Sequence, residues 1–390
     1  MTGDRGLALV THSTSPRGGM VHTMALAEAL QAAGRPVHVL SQGDPAAGLF
    51  RPTTVPHTVL PAPDRSGTLS NRVFASIDAL TAALADLAGD YDVLHAQDCI
   101  AARAAARVRD AGAPVSVVRT VHHVDDFTTP ALVTCQRKAI VEPDRVLVVS
   151  EQWRRILADD YGVAAGIVPN GVDTGRFPPV EESRRAALRA SIGAQHRFLF
   201  LSVGGIEPRK GTRHTFEALA DLKSTMSPSP VLAIVGGHSF QDYAAYREEA
   251  LAALPELGLT LGRDVVLLGT LNERDLGGWY RSADALAFPS VKEGWGLAVL
   301  EAMAADLPVI ASDLPVFHEY LVDRRNALMP TVADPVALAG TMREMVDDAA
   351  LRDRLRAGGR ATLPSFTWER SAECHQRIYD ELRAAVGADH

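Results

Sequence analysis

A short, almost wholly apolar run followed by a stretch with helical spacing recurs along most of this chain, and that alternation limits the folds open to it. In the first half the runs are LALVTH (7–12), PVHVLS (36–41), DVLHAQ (92–97), VSVVRTVH (115–122) and RVLVVS (145–150). Helix-like segments lie between them, at 20–33, 72–87 and 99–111. Runs this short and this apolar fit parallel strands covered on both faces. Repeated strand–helix alternation then predicts a doubly wound sheet. The segment VPNGVDTGRFPPVEES (168–183), rich in Pro, Gly and Asn, interrupts the rhythm and reads as a linker. The alternation restarts at RFLFLSVGG (197–205), PVLAIVGG (230–237), DVVLLGTL (264–271), ALAFPS (285–290) and PVIAS (308–312). The expected architecture is α/β, with two Rossmann-like parallel-sheet domains, 1–175 and 176–366, facing a cleft at the carboxyl ends of their strands. The last segment, TWERSAECHQRIYDELRAAV (367–386), is amphipathic, with Thr367 placed to cap it. Its spacing does not say which domain it covers.

Composition narrows the function. Charged residues are 22% of the 390, and the formal net charge is −8, which argues against broad electrostatic binding of nucleic acid. The apolar run GLALV near the start is too short for the core of a signal peptide, and no stretch approaches a membrane span. Cys99, Cys135 and Cys374 are widely separated, which argues against a disulfide framework or a zinc site. A cytoplasmic protein is expected.

Four stretches carry candidate chemistry. In THSTSPRGGMVHTMALAEAL, Gly18 and Gly19 stand between the first strand and a helix beginning near Met20, where free backbone N–H groups suit an anion. The pattern is not G-x-G-x-x-G and no acid is suitably placed on the next strand, so a dinucleotide site is poorly supported. A plain flexible loop explains it equally well. In SVGGIEPRKG (202–211), Arg209 and Lys210 are expected at the mouth of a helix that Gly211 begins. Cations there oppose the helix dipole, and a bound phosphate would account for them better than a solvated turn does. In VRTVHHVDDF (118–127), His122, His123, Asp125 and Asp126 gather at a strand's carboxyl end. Adjacent histidines on an extended segment point to opposite faces, so a metal site using both is disfavoured, and one of the pair is expected to be merely packed or solvated. In EGWGLAVLE, Glu293 and Glu301 lie eight residues apart across a helix start. Helix capping accounts for one acid more easily than for two. Glu293 falls in the turn and Glu301 on a helix expected over 297–305, sharing a face with Leu297 and Ala304, so that both acids can face one crevice. Hydroxyls at both ends and phosphates in the middle would satisfy this arrangement, as in a nucleotide-sugar. A pair of glycosidase carboxylates is the competing idea, but such a pair flanks a single bond.

With these stretches in this order, the chain resembles the family 4 retaining glycosyltransferases of GT-B fold. The resemblance spans almost the whole length: RGG before the first helix, TVH, VPNGVD, EPRKG and FPSVKEGWGLAVLEAMAADLPVIAS. It implies that Glu293 binds hydroxyls of the donor sugar and Glu301 those of the ribose. Lys210, with Arg209 beside it, would bind the donor pyrophosphate. Gly18 and Gly19 would approach phosphate or sugar, and His122 would contact the transferred sugar. Backbone around Gly269 and Leu271 would hold the base, while Gly294, Gly296 and Leu297 would line the donor site. It further implies a hexose-type sugar leaving a nucleoside diphosphate, UDP favoured, for a small-molecule or glycan hydroxyl acceptor. The reaction would run on the donor's front face with the leaving phosphate assisting, and with no metal or cofactor. The terminal helix (367–388) would cross back onto the first domain. Two positions depart from the family pattern: Gly205 stands where an arginine is usual, and Asp306 replaces a glycine in a turn that favours φ > 0.

Other readings remain open at this level. A GT-B relative with different chemistry, such as an epimerase, and a non-catalytic nucleotide-sugar-binding module both fit the fold. The glycogen-phosphorylase type would need a cofactor-lysine motif that is not seen. Helices carrying Arg103, Arg107 and Arg109, and Trp153, Arg154 and Arg155, raise membrane docking, although a charged stripe is more often a solvated face. The loops over 42–71, which show no motif, would set the acceptor.

Overall fold

The structure is a computed structural model and describes residues 6–64, 66–237 and 243–388. The chain divides into two compact units, Met1–Gly171 with Phe366–His390, and Val172–Ser365.

In the first unit, strands and helices alternate: β1 (Gly6–Thr11), α1 (Gly18–Ala32), β2 (Val37–Gly43), β3 (His57–Pro61), α2 (Leu69–Leu87), β4 (Tyr91–Ala96), α3 (Cys99–Asp110), β5 (Ser116–Val121), α4 (Pro130–Val141), β6 (Arg145–Val148), α5 (Glu151–Tyr161) and β7 (Gly166–Ile167). The strands form one parallel sheet in the order β3-β2-β1-β4-β5-β6-β7. Side chains cap the helices where the sequence allows: Thr68 accepts from the N–H of Asn71, Asp98 from Ala101 and Ser150 from Trp153. α5 ends on Gly162, whose φ of +70° supplies the left-handed cap.

The second unit repeats the pattern with α6 (Glu182–Ser191), β8 (Leu199–Val203), α7 (Thr212–Thr225), β9 (Val231–Val235), α8 (Ala244–Ala252), β10 (Val265–Gly269), α9 (Glu273–Ser282), β11 (Ala285–Phe288), α10 (Leu297–Ala304), β12 (Val309–Ala311), α11 (Pro335–Asp347) and α12 (Ala349–Thr362). Its parallel sheet has the order β10-β9-β8-β11-β12. Phe200, Phe216, Leu232, Leu254 and Met342 are among the side chains buried in its core. The last helix, α13 (Trp368–Ala388), belongs to the first unit, where it lies against α1. Thr367 accepts from the N–H of Arg370 at 3.3 Å, as its place before the helix predicts.

Both sheets reverse their winding between two central strands, β1 and β4 in one and β8 and β11 in the other. Such points open a crevice at the strands' carboxyl ends.

Two strands escaped the sequence reading. β3 falls inside the motif-free stretch 42–71, and β7 is only two residues long. Both lie at sheet edges, where a strand is covered less completely and apolar alternation fades. β3 is largely solvent-facing and ends in Pro61, which an edge tolerates. The suspected docking helices are also accounted for. Trp153 is buried in a core cluster, and Arg154 and Arg155 pair with Glu151. Arg103 pairs with Glu142, Arg107 with Asp78 at 2.6 Å and Arg109 with Asp144 at 2.8 Å. Among the described residues, no helix is long and apolar enough to cross a membrane.

Candidate active site

In the first unit the candidate residues collect at the β1/β4 reversal. Gly18 and Gly19 open α1, where Arg17 provides no side-chain cap. A Cβ on Gly18 would meet nothing within 4 Å, and one on Gly19 would stay 3.9 Å from the Gln97 carbonyl and from His122 Cδ2. Packing therefore does not demand glycine at either position. What two glycines leave there is open backbone at a helix N-terminus.

His122 follows β5 and is half-buried. Its Nε2 lies 3.1 Å from Gln97 Oε1, and its ring meets His22 edge-on at 4.6 Å. Burial holds its pKa well below the ordinary value, and His22, Arg119, His123 and His95 push the same way. His123 is exposed and sits 3.3 Å from Asp125, so the two adjacent histidines do not share one site. No cluster of three His, Cys, Asp or Glu side chains suited to a metal occurs among the described residues.

Behind His122 runs a buried set that the sequence did not announce. His22 Nδ1 is 2.8 Å from Asn170 Oδ1, and Trp368 stands 5.3 Å from the His22 ring. His375 continues the file at 6.3 Å from His22 and 5.5 Å from His95. His95 sits between the hydroxyls of Tyr379 and Thr120, each at 2.7 Å. Burial lowers His22 to a pKa of about 3 and His375 to about 4. The chain crosses itself beside this file. A Cβ on Gly171 would lie 2.3 Å from the backbone of Thr367 and Trp368, so only glycine fits in the PNG stretch there.

In the second unit the candidate residues collect at the β8/β11 reversal. Pro208–Lys210 form a single 3-10 turn, and Gly211 follows with φ +66°. A Cβ on Gly211 would strike the Pro289 carbonyl at 2.0 Å, so the two loops lie backbone to backbone. Across that contact, buried Glu293 accepts from Lys210 Nζ at 2.5 Å, Ser290 Oγ at 2.9 Å and Arg209 at 3.3 Å. Arg209 also pairs with Glu207 at 2.9 Å, and Lys210 lies over the Phe288 ring. Burial alone would raise the Glu293 carboxyl, but the charges of Lys210 and Arg209 outweigh it and hold the group below the usual range. The sequence placed these cations at a helix mouth, where they would oppose the dipole. The structure separates them from α7 by Gly211 and pairs them with carboxylates, which desolvation makes necessary.

Glu301 is on α10, one turn beyond Gly296, and has different partners from Glu293. Tyr280 Oη donates to it at 2.8 Å, and burial pushes its carboxyl up. Gly296 has φ +87°, and a Cβ there would strike Phe317 at 2.6 Å. Gly294 and Leu297 are half-buried on the same turn. Gly269, with φ +68°, ends β10; its carbonyl accepts from the N–H of Gly236 at 2.9 Å, and Leu271 follows half-buried. Asp306 has φ +57°, as its turn requires. At Gly205 a Cβ would fall 2.8 Å from the Gly237 carbonyl, because Gly204 and Gly236 press the ends of β8 and β9 together. An arginine here would need this backbone to shift. A cavity of about 350 Å³ in this unit lies at the opposite ends of the strands, near Phe198 and Asp284, and is separate from this constellation.

Comparisons with known proteins bear on the family and the fold. Residues 16–176 match the family described as Glycosyltransferase Family 4, and residues 184–362 the family described as Glycosyl transferases group 1. The chain is 27% identical to a D-inositol 3-phosphate glycosyltransferase of Jonesia denitrificans, over 98% of this chain and 95% of that one. A D-inositol 3-phosphate glycosyltransferase of Xylanimonas cellulosilytica is 28% identical, over 97% and 98% of the two chains. Among solved structures, sucrose-phosphate synthase from Thermosynechococcus elongatus aligns with a TM-score of 0.80 at 22% identity, covering 98% of this chain and all of that one. Anabaena HepE in complex with UDP and glucose aligns with a TM-score of 0.79 at 20% identity, covering 97% and 99%. The chain belongs to the family 4 glycosyltransferases: it is a glycosyltransferase built on the two Rossmann-like domains of the GT-B fold.

Proposed function

We propose that the enzyme is a retaining glycosyltransferase that moves a hexose-type sugar from a UDP-sugar to a hydroxyl acceptor. The observation that carries this reading is the enclosed set of Glu293, Lys210, Arg209 and Ser290 at the β8/β11 reversal, with Glu301 one helix turn beyond. Lys210 and Arg209 present positive charge to a diphosphate. Glu293, kept ionised by them, accepts from hydroxyls of the donor sugar, and Glu301 accepts from the ribose. Gly294, Gly296 and Leu297 line this donor site, and backbone at Gly269 and Leu271 holds the base. Gly18 and Gly19 offer N–H groups to phosphate or sugar, and His122 contacts the transferred sugar.

In the front-face reaction the bond between the sugar's anomeric carbon and the phosphate oxygen breaks. The acceptor oxygen bonds on the same face, and its proton passes to the departing phosphate. The protein supplies positioning and stabilisation of the diphosphate charge. Lys210 and Arg209 can meet that charge without a metal ion or cofactor. The UDP and UDP-glucose held by the HepE structures support uridine as the base. The named relatives make D-inositol 3-phosphate the first acceptor to try, ahead of simple sugars and glycans. The absence of disulfide-like cysteine spacing supports a cytoplasmic setting.

A second reading, a nucleotide-sugar-binding or epimerase-like protein without transfer, rests on Gly205, which removes one guanidinium from the expected clamp. The test is a panel of UDP-, GDP- and ADP-sugars, with release of free nucleoside diphosphate followed with and without acceptor. Release from the UDP-sugars, accelerated by an acceptor, is the expected result. Binding of a donor with no release would favour the second reading.

A further inference from the structure

We propose that Gln97 is a positioning residue for His122, fixing the imidazole as the neutral tautomer that carries its proton on Nε2 and leaves Nδ1 as a bare acceptor. This rests on the role proposed above for His122.

Gln97 is the first residue after β4, at the strand reversal, and is 2% exposed. Its Oε1 lies 3.1 Å from His122 Nε2, and the Gly19 turn of α1 covers the pair. A carboxamide oxygen only accepts, so the hydrogen bond requires the proton on Nε2. The ring is half-buried, and its remaining nitrogen is then an acceptor, suited to a hydroxyl of a bound sugar and unsuited to donating. The titratable and charged groups facing the ring are His22 on α1, Arg119 on β5, His123 just beyond it and His95 on β4. All four oppose a positive charge on it, so the neutral form is the working one. A second observation points the same way. Among the described residues, Gln97 Nε2 is buried with no hydrogen-bond partner, and an unsatisfied buried donor is a cost that a purely structural residue would be expected to shed. An apolar side chain of similar size would fill this space without that cost. It would not hold the tautomer.

The test compares Gln97→Leu, Gln97→Glu and His122→Ala in steady-state donor turnover across pH, with imidazole nitrogen NMR on the full chain. The wild type is expected to show His122 protonated on Nε2. Gln97→Leu should lose kcat by at least about tenfold with little change in KM for the donor, as for a lost orienting contact rather than lost binding. Gln97→Glu keeps an acceptor oxygen and should retain most of kcat at high pH. It should also gain an acid limb absent from the wild type, because its carboxylate favours an imidazolium that has no acceptor nitrogen. A wild-type His122 protonated on Nδ1 would overturn the proposal, since the Gln97 amide would then be turned the other way. So would a folded Gln97→Leu with unchanged kcat and pH profile, or a Gln97→Glu with no new limb. If His122→Ala turns over normally, the role given to His122 fails; if it is inactive while the Gln97 variants behave as wild type, only the positioning role fails.

Discussion

Glu293 is enclosed with Lys210 at 2.5 Å and Arg209 at 3.3 Å, so replacing it disturbs the fold as well as any bound sugar. Glu293→Gln keeps the shape and leaves Lys210 buried without its carboxylate. Breaking a buried pair from one side costs about 3 kcal/mol or more. The variant is therefore expected to melt at a lower temperature and to lose donor turnover, with nucleoside diphosphate release and thermal melting as the two measurements. The sign of the pH effect follows from the shift. The folded carboxyl is held below its unfolded value, so its stabilising contribution is present above the unfolded value and is lost as pH falls through the folded one. Glu293→Gln should flatten that acid limb; an unchanged melting curve would show that the pair contributes nothing to stability. The acids and Lys210 were legible in the sequence because their spacing ties them to turns and a helix start. Tyr280, Gln97 and His22 were not. Tyr280 and His22 are ordinary residues inside helices and Gln97 one just past β4, and each reaches the site only because the sheet order brings distant elements together.

At the scale of elements, α13 meets α1 and β4 through imidazoles rather than aliphatic side chains alone. His22 is lowered to about 3 and His375 to about 4, and His95 and His122 are also held well below the ordinary value, in each case first by burial. The unfolded chain thus binds these protons at higher pH than the folded one. Stability is complete above the unfolded histidine value and is lost as pH falls from there toward the folded values. Each buried neutral histidine contributes a slope of about 1.4 kcal/mol per pH unit in that window, and His22, His95 and His375 acting together about 4. Melting temperature should therefore fall steeply between about pH 6 and 4, and His375→Gln should make the fall shallower. Equal slopes in the two proteins would show that the file takes up no protons on unfolding. Sequence patterning found the central strands because β1, β4, β5, β8 and β9 are buried on both faces. It missed β3 and β7, where burial is partial and periodicity carries little information.

At the scale of the whole molecule, one unit is a continuous segment and the other is not. Val172–Ser365 contains its entire five-stranded sheet and covering helices. The first unit is completed only by the returning segment that includes α13. The sequence could not say where that helix belongs, because an amphipathic period reads the same whichever surface it covers. Its partners answer the question: Trp368 beside His22, Tyr379 bonded to His95, Arg35 paired with Asp380 and Arg383 with Asp92 at 3.2 Å. Removing everything after Ser365 strips these contacts and leaves buried His22 on α1 without Trp368 and His375 beside it. The truncated chain is expected to lose the cooperative unfolding of the first unit while keeping that of the second. At about 0.7 kcal/mol per residue near 60 °C, Val172–Ser365 alone should unfold with an enthalpy of about 140 kcal/mol. Differential scanning calorimetry of the full chain, the chain ending at Ser365 and the isolated segment 172–365 separates the cases. An isolated segment that unfolds near that enthalpy and shifts upward with UDP would establish the second unit as an autonomous nucleotide-binding body. A chain ending at Ser365 that keeps the full unfolding enthalpy would mean that α13 is dispensable to the first unit, contrary to its buried contacts.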